Sequence, residues 1–199
     1  FDAREYTGSL APRLRIEYTG EWPVTNGFKI FHTNDAHSRL LPHEMDIPGM
    51  DDVPVFEKVG GAAYMAAKMI ALKQSHPESL ILDAGDISEG NPLGDLRKNG
   101  GMIDFYSLLD TKLKALGGRG IDAVVVGNHD VRDGEMINNM TNSGLPFISL
   151  NIYYTSGDNS GQRVFPAWVT TNVGGQKVGV LGFTNDQSSY LGDGTEGVI

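Results

Sequence analysis

The sequence contains no cysteine among its 199 residues, which excludes a disulfide framework and any thiolate metal site. That absence leaves the redox compartment open. Positive charge is scarce: 16 Lys and Arg stand against 25 Asp and Glu, a net charge of −9. A field of that sign repels polyanions, so neither a nucleic-acid groove nor an anionic membrane surface is expected. A small anionic substrate stays compatible if metal cations reverse the field locally. The apolar runs fall far short of a membrane span, so no transmembrane segment is expected. A starting methionine is missing too: the chain begins at Phe1, so a preceding segment, a signal peptide or another, is expected to have been removed.

What is present describes a globular chain. Hydrophobic residues make up 40% and charged residues 21%, enough for one domain with a real core or for part of a larger one. The 26 glycines are scattered, as tight turns require, and do not form low-complexity tracts. Residues 1–26 differ from the rest. They carry EYTG twice, at 5–8 and 17–20, around Pro12. This segment reads as an N-terminal arm of two strands that pairs with the body or a neighbouring chain, or as a short hairpin with a chance repeat. Asn139-Met140-Thr141 fits a glycosylation sequon, a triplet common by chance.

From Gly27 the pattern is regular. GFKIFHT (27–33) reads as a buried strand, and a polar, Pro-containing loop follows it. VGGAAYMAAKMIALKQ (59–74) places Ala62, Met65, Ala66, Met69 and Leu72 at helical spacing, and His76-Pro77 ends the helix. SLILDA (79–84) is a strand before a Gly-rich loop, and 101–118 is an amphipathic helix closed by two glycines. IDAVVVG (121–127) and PFISLN (146–151) are strands, with a helix near 133–143 between them. Residues 164–171 and 177–184 read as an antiparallel hairpin through Gly174-Gly175. The alternation predicts an α/β fold: a mostly parallel sheet with flanking helices and an antiparallel hairpin near the C-terminus. Ligands in such sheets bind beyond the carboxyl ends of the strands.

Three polar clusters fall at those ends. Asp35 and His37 follow the first strand one residue apart, and alternation in an extended chain sends both to one side. A carboxylate with an imidazole can begin a divalent metal site, or be a turn aspartate beside a solvated histidine. Asp86 follows Gly85 after the second strand, where its two oxygens can bridge two cations or cap a turn. Asn128 and His129 follow the third strand: an amide oxygen as ligand, and a proton donor or phosphate contact. Together the clusters should converge on one crevice, rich in oxygen with imidazole and no sulfur. That set suits two cations clamping a phosphate and lowering the pKa of a bridging water. His32 is expected to face the core or a sheet neighbour, and His43 and His76 to lie in loops.

The order D-x-H, G-D, G-N-H-(D/E) resembles the calcineurin-like metallophosphoesterases. HTNDAHSRLLP, VGGAAYMAAKMI, LILDAGDISEGNPL, DAVVVGNHD and LPFISLNIY resemble, more narrowly, the secreted 5′-nucleotidase and UDP-sugar hydrolase branch. The resemblance runs from about residue 28 to the end and implies an incomplete α/β/β/α sandwich, with 27–199 the N-terminal part of the catalytic domain. It implies that Asp35 and His37 bind a first metal, that Asp86 bridges both, and that Asn128 binds the second. His129 would contact the phosphate and stabilise developing charge. The cofactors implied are two divalent ions (Mn, Zn, Fe or Mg), activating a water that attacks phosphorus. The substrate implied is a small phosphorylated compound such as a nucleotide or sugar nucleotide, and the location secreted, periplasmic or cell surface.

Three departures from that pattern stand out. No histidine follows His129, so a second-metal histidine and a later Gly-His motif are lacking here. They would belong to a missing C-terminal half, cleaved, disordered or supplied by a companion fragment. The branch carries an Asp three residues after the catalytic histidine to orient it, whereas this chain has Arg132. Asp130 or Asp133 would have to substitute, and Arg132 would bind phosphate or lie at the surface. The usual arginine after GG-x-A is also absent, with Tyr64 and Met65 nearby. Two functions follow: a 5′-nucleotidase-like phosphomonoesterase, or a degenerate phosphoesterase fold serving as a surface binding or assembly module. Self-association through the arm belongs with either.

Overall fold

The computed structural model describes residues 27–48 and 54–185; the expected arm at 1–26 lies outside the described residues. Along the chain, β1 (Ile30–Thr33) is followed by β2 (His43–Pro48), β3 (Pro54–Val59), α1 (Ala62–Ser75), β4 (Leu80–Asp83) and α2 (Gly100–Lys114). Then come β5 (Ala123–Val125), α3 (Gly134–Asn142), β6 (Phe147–Ile148), β7 (Trp168–Val173) and β8 (Gln176–Leu181). Strands β1, β4, β5 and β6 form one parallel sheet in that order. The β7–β8 pair is the antiparallel hairpin read from the sequence. The mixed α/β class with a mostly parallel sheet therefore holds.

One element differs. Residues 43–59 carry an antiparallel hairpin, β2 against β3, where the sequence suggested a loop. The alternation in Glu44-Met45-Asp46-Ile47 has the period of a strand. Acidic residues and the prolines at both inner ends masked it. His43 thus opens a strand, not a loop, and packs beside Gly60. His32 also departs from expectation. It is solvent-exposed on β1, lining an open groove of about 410 Å³ with Met65, Lys68 and Leu72 of α1. Asn139 donates a hydrogen bond to the Arg97 carbonyl at 3.0 Å from within α3, an engaged position for a sequon asparagine.

The core follows from helical spacing. Ile103, Tyr106, Leu109 and Leu113 fall three or four residues apart and, with Met102, bury one face of α2. They meet Ile81 and Val124 of the sheet, with Met69, Met65 and Ala66 of α1 packed alongside. Each fully buried side chain of this size contributes roughly 1.5–3 kcal/mol. The sheet is thereby held with its carboxyl ends, and the loops after them, free to carry polar groups.

A polar knot closes the core at that end. Asp83, the last residue of β4, is buried and accepts from Thr33 Oγ1 at 2.6 Å, Tyr106 Oη at 2.6 Å and Gly85 N at 2.8 Å. Burial pushes the Asp83 carboxyl up to about 6, against the pull of the three hydrogen bonds. A carboxyl raised in the folded state stabilises the fold below its unfolded pKa. That contribution is lost as pH rises through the folded value. Unfolding free energy is therefore expected to fall between pH 4 and about 6 on account of Asp83. An Asp83→Asn variant, with an uncharged side chain whose amide the two hydroxyls can accept, should flatten that fall by on the order of 1–3 kcal/mol. Chemical denaturation across that range checks it; an unchanged slope would reject the assignment.

Candidate metal centre

The loops leaving β1, β4 and β5 lie against one another because backbone pairing continues past the strands. Asp35 N donates to Gly85 O (2.9 Å), His37 N to Asp86 O (3.0 Å) and Ser38 N to Ile87 O (2.9 Å). The β4 and β5 loops approach more closely than side chains allow. A Cβ on Gly85 would stand 2.8 Å from Gly127 N and from Val125 O. One on Gly127 would stand 2.3 Å from Asp86 N and strike its carboxylate. Glycine is required at both places by contact, and Gly85 also by its φ of 98°.

Asp130 fastens this junction. Its fully buried carboxylate accepts from Asp86 N (3.0 Å), Ser88 N (2.9 Å) and Gly127 N (2.8 Å). Burial pushes its pKa up while the donors pull the other way. This placement corrects the expectation that Asp130 orients His129, since the carboxylate is committed to backbone groups of two loops. Asp133 is committed elsewhere as well. It caps α3, accepting from Met136 N at 2.9 Å, and pairs with Lys98 at 2.9 Å.

Asp35, His37 and Asp86 each bring one ligand atom to a common point, all within 4.8 Å of one another. The expected mechanism of convergence is wrong even so. Asp35, His37 and Asp86 have φ of 53°, 43° and 54°, left-handed backbone and not extended chain. The turn, not strand alternation, aims Asp35 and His37. The His37 ring is held by its Nδ1, 2.8 Å from the Glu89 carbonyl oxygen. A carbonyl only accepts, so Nδ1 carries the proton and Nε2 is left as a bare donor of electrons. That Nε2 lies 3.5 Å from Asp35 Oδ1. A lone pair facing a carboxylate is repulsive unless a cation or proton lies between. With hard oxygens and one imidazole, the donor set fits a divalent cation such as manganese, zinc, iron or magnesium. Asp86 Oδ1 also accepts from His129 N at 2.9 Å, tying the cluster to the β5 loop.

His129 stands beside the cluster, its ring edge-on to that of His37 with centroids 5.0 Å apart. Asn128, half-buried, precedes it in the same turn. The carboxylate against the ring is Glu89: Oε2 lies 2.5 Å from His129 Nδ1 and 2.6 Å from Arg132 Nε. Arg132 is thus paired with Glu89 at the site, not a loose surface residue. Sequence reasoning passed over Glu89. Its one signal was an acidic residue three positions after Asp86 in a Gly-rich loop, where acids are ordinarily solvated.

The calcineurin-like phosphoesterase family matches residues 28–191, more than half of the chain. The chain belongs to that family. Among curated relatives, the 5′-nucleotidase of Bos taurus is 29% identical over 189 residues, covering 90% of this chain and 31% of the relative. A 5′-nucleotidase of Vibrio vulnificus is 26% identical over 180 residues, with 88% and 29% covered. The solved 5′-nucleotidase precursor of Thermus thermophilus superposes with a TM-score of 0.66 at 23% identity, covering 86% of this chain and 31% of that one. The NAD nucleotidase of Haemophilus influenzae gives 0.64 at 24%, with 81% and 27% covered. These structures share the fold. The chain spans less than a third of the length of these relatives.

The two aspartates that sequence reasoning paired with His129 should separate cleanly. Asp130→Ala leaves three backbone N–H groups at a buried junction without their acceptor and should cost roughly 3 kcal/mol or more. Asp133→Ala removes a helix cap and should cost about 1 kcal/mol. Denaturant unfolding measures both. Equal costs would reject the fastening role of Asp130.

Proposed function

We propose that this chain carries the first half of the catalytic centre of a 5′-nucleotidase-like phosphomonoesterase. The carrying observation is the meeting of Asp35, His37 and Asp86 within 4.8 Å, with His129 beside them. Asp35 and His37 would hold one divalent cation. Asp86 would reach both of two cations, and the Asn128 side chain would serve the second. Cations bound there supply charge neutralisation for a phosphoryl group and lower the pKa of an attacking water. The side chains have separate work. Asp86, tied to His129 N, keeps the ligand loop in register with the β5 loop. His129 would face the phosphoryl group, donating a proton or hydrogen bond to oxygen on which charge develops. Arg132, a third exposed and 2.6 Å from Glu89, whose carboxylate offsets its charge, would offer N–H donors at the rim for the phosphate.

Several facts support this reading. The family uses divalent metals, and its relatives here include 5′-nucleotidases and an NAD nucleotidase, so nucleotides are the substrate class to test. Nucleotidases of this kind fit a secreted, periplasmic or cell-surface setting. Among the described residues, no helix is long and apolar enough to cross a membrane. No histidine follows His129 in this sequence, so any further imidazole ligand of the proposed centre would lie outside it.

The decisive experiment pairs cation binding with phosphate release from a nucleoside monophosphate such as AMP, in manganese and in zinc. Asp86→Asn should weaken cation affinity at least about tenfold, as loss of a ligand costs no less than loss of its supporting partner. Unchanged affinity would reject the ligand role. Full cation binding with no phosphate release would favour the binding or assembly module.

A further inference from the structure

Glu89 grips both imidazoles of the centre. Its backbone carbonyl oxygen lies 2.8 Å from His37 Nδ1, and its carboxylate Oε2 lies 2.5 Å from His129 Nδ1. Its own conformation is enforced. Glu89 has a φ of 63°, left-handed and unfavourable for a side chain of this kind. Asp95 holds it there, accepting from Glu89 N at 2.8 Å and from Gly90 N at 3.2 Å, and Ser38 Oγ donates to the same carboxylate. Gly90 must be small as well, since a Cβ there would stand 3.0 Å from the His37 carbonyl oxygen. On the other side, Arg132 Nε meets Glu89 Oε2 at 2.6 Å.

We propose that Glu89 is the positioning residue for both histidines, fixing His37 through its carbonyl and His129 through its carboxylate, with Arg132 as clamp. The chemistry follows from what each atom can do. An ionised carboxylate only accepts, so a ring nitrogen 2.5 Å from it must carry the proton. Arg132 Nη2 is 3.1 Å from the same Nδ1 and could donate to it only if that nitrogen were bare, but a bare nitrogen would repel the closer carboxylate at 2.5 Å, which decides for the protonated form. The guanidinium meets the carboxylate instead and keeps it from turning away. Both rings then carry a proton on Nδ1, and each turns its Nε2 side to the centre: that of His37 as a lone pair for a cation, that of His129 to bear the second proton it would donate to the phosphoryl group. The role of Nε2 rests on the phosphomonoesterase reading; the locking of the rings does not. An imidazole free in water prefers the proton on Nε2, so holding two rings in the other tautomer takes a partner for each.

The two grips separate experimentally, because only one of them is a side chain. In protein carrying ¹⁵N-labelled histidine, long-range ¹H–¹⁵N spectra recorded with chelator and again with zinc should show both His37 and His129 as Nδ1–H. Glu89→Ala removes the carboxylate and keeps the carbonyl. His129 should then move towards the Nε2–H form while His37 stays, a split that general loosening of the fold would not produce. Glu89→Gln retains an acceptor oxygen and should restore the His129 pattern; it also covers the case in which the alanine variant fails to fold. An Nε2–H His129 in the unsubstituted protein, or an unchanged His129 in Glu89→Ala, overturns the proposal. For AMP hydrolysis, kcat should fall roughly 10- to 100-fold in Glu89→Ala with little change in KM. Absence of hydrolysis even when the remaining ligands of the centre are supplied sinks the phosphomonoesterase reading, and the ring signals still decide the role of Glu89.

Discussion

The buried carboxylate of Asp130 is the constraint on which the site depends. Two loops from neighbouring strands turn their backbone N–H groups toward it: Asp86 and Ser88 from one, Gly127 from the other. Burying a carboxylate is costly, and charge-assisted bonds to three donors offset that cost. They brace the close approach of Gly85 to Gly127, together with the pairing of β4 with β5 and the bond from His129 N to Asp86 Oδ1. The consequence reaches the ligands directly. Asp86 is the residue whose N–H is bound by Asp130 and whose carboxylate accepts from His129 N. The candidate metal ligand and the candidate phosphate contact are therefore placed by one buried anion.

Much of the fold was legible in the sequence, and the reasons are local. The short runs at 80–83 and 123–125 are too short for helices and meet a glycine two residues on, and α2 repeats its large residues at helical spacing. Those signals place the polar clusters at the carboxyl ends of parallel strands, where the structure has them. The β2–β3 hairpin was missed because its alternation is written in acids and closed by prolines. The aim of Asp35 and His37 was read from the wrong geometry, since strand alternation plays no part in it. Their left-handed backbone is held by bonds from Asp35 N to Gly85 O and His37 N to Asp86 O. Such bonds join positions about fifty residues apart and leave no local trace. Glu89 was missed for the same reason: its partners His129 and Arg132 are some forty positions away.

Backbone strain marks the site independently of any resemblance. Among the described residues, seven that are not glycine have positive φ, and five of these are Asp35, His37, Ser38, Asp86 and Glu89. Each such residue costs on the order of 1–3 kcal/mol and persists only where its surroundings over-determine it. Here the surroundings are the paired loops, the Asp130 carboxylate and the Asp95 carboxylate. A fold that stores this much strain in one crevice holds its polar groups in place before any ligand arrives. Preorganisation of that kind is what electrostatic stabilisation of a developing charge requires.

The charges of the crevice explain why cation and phosphate belong together in it. Asp35, Asp86 and Glu89 bring three carboxylates close to the two histidines, in a chain already at −9. A phosphate approaching that arrangement is repelled by Asp35 and Asp86 unless their charge is taken up. Arg132 answers for Glu89, with which it pairs. It does not answer for the other two. Cations at Asp35, His37 and Asp86 would reverse the local field, which the overall charge of the protein otherwise sets against any anion. The metal is thus not only a source of reactivity on the proposed reading. On that reading it is also what would let this acidic crevice hold a phosphate.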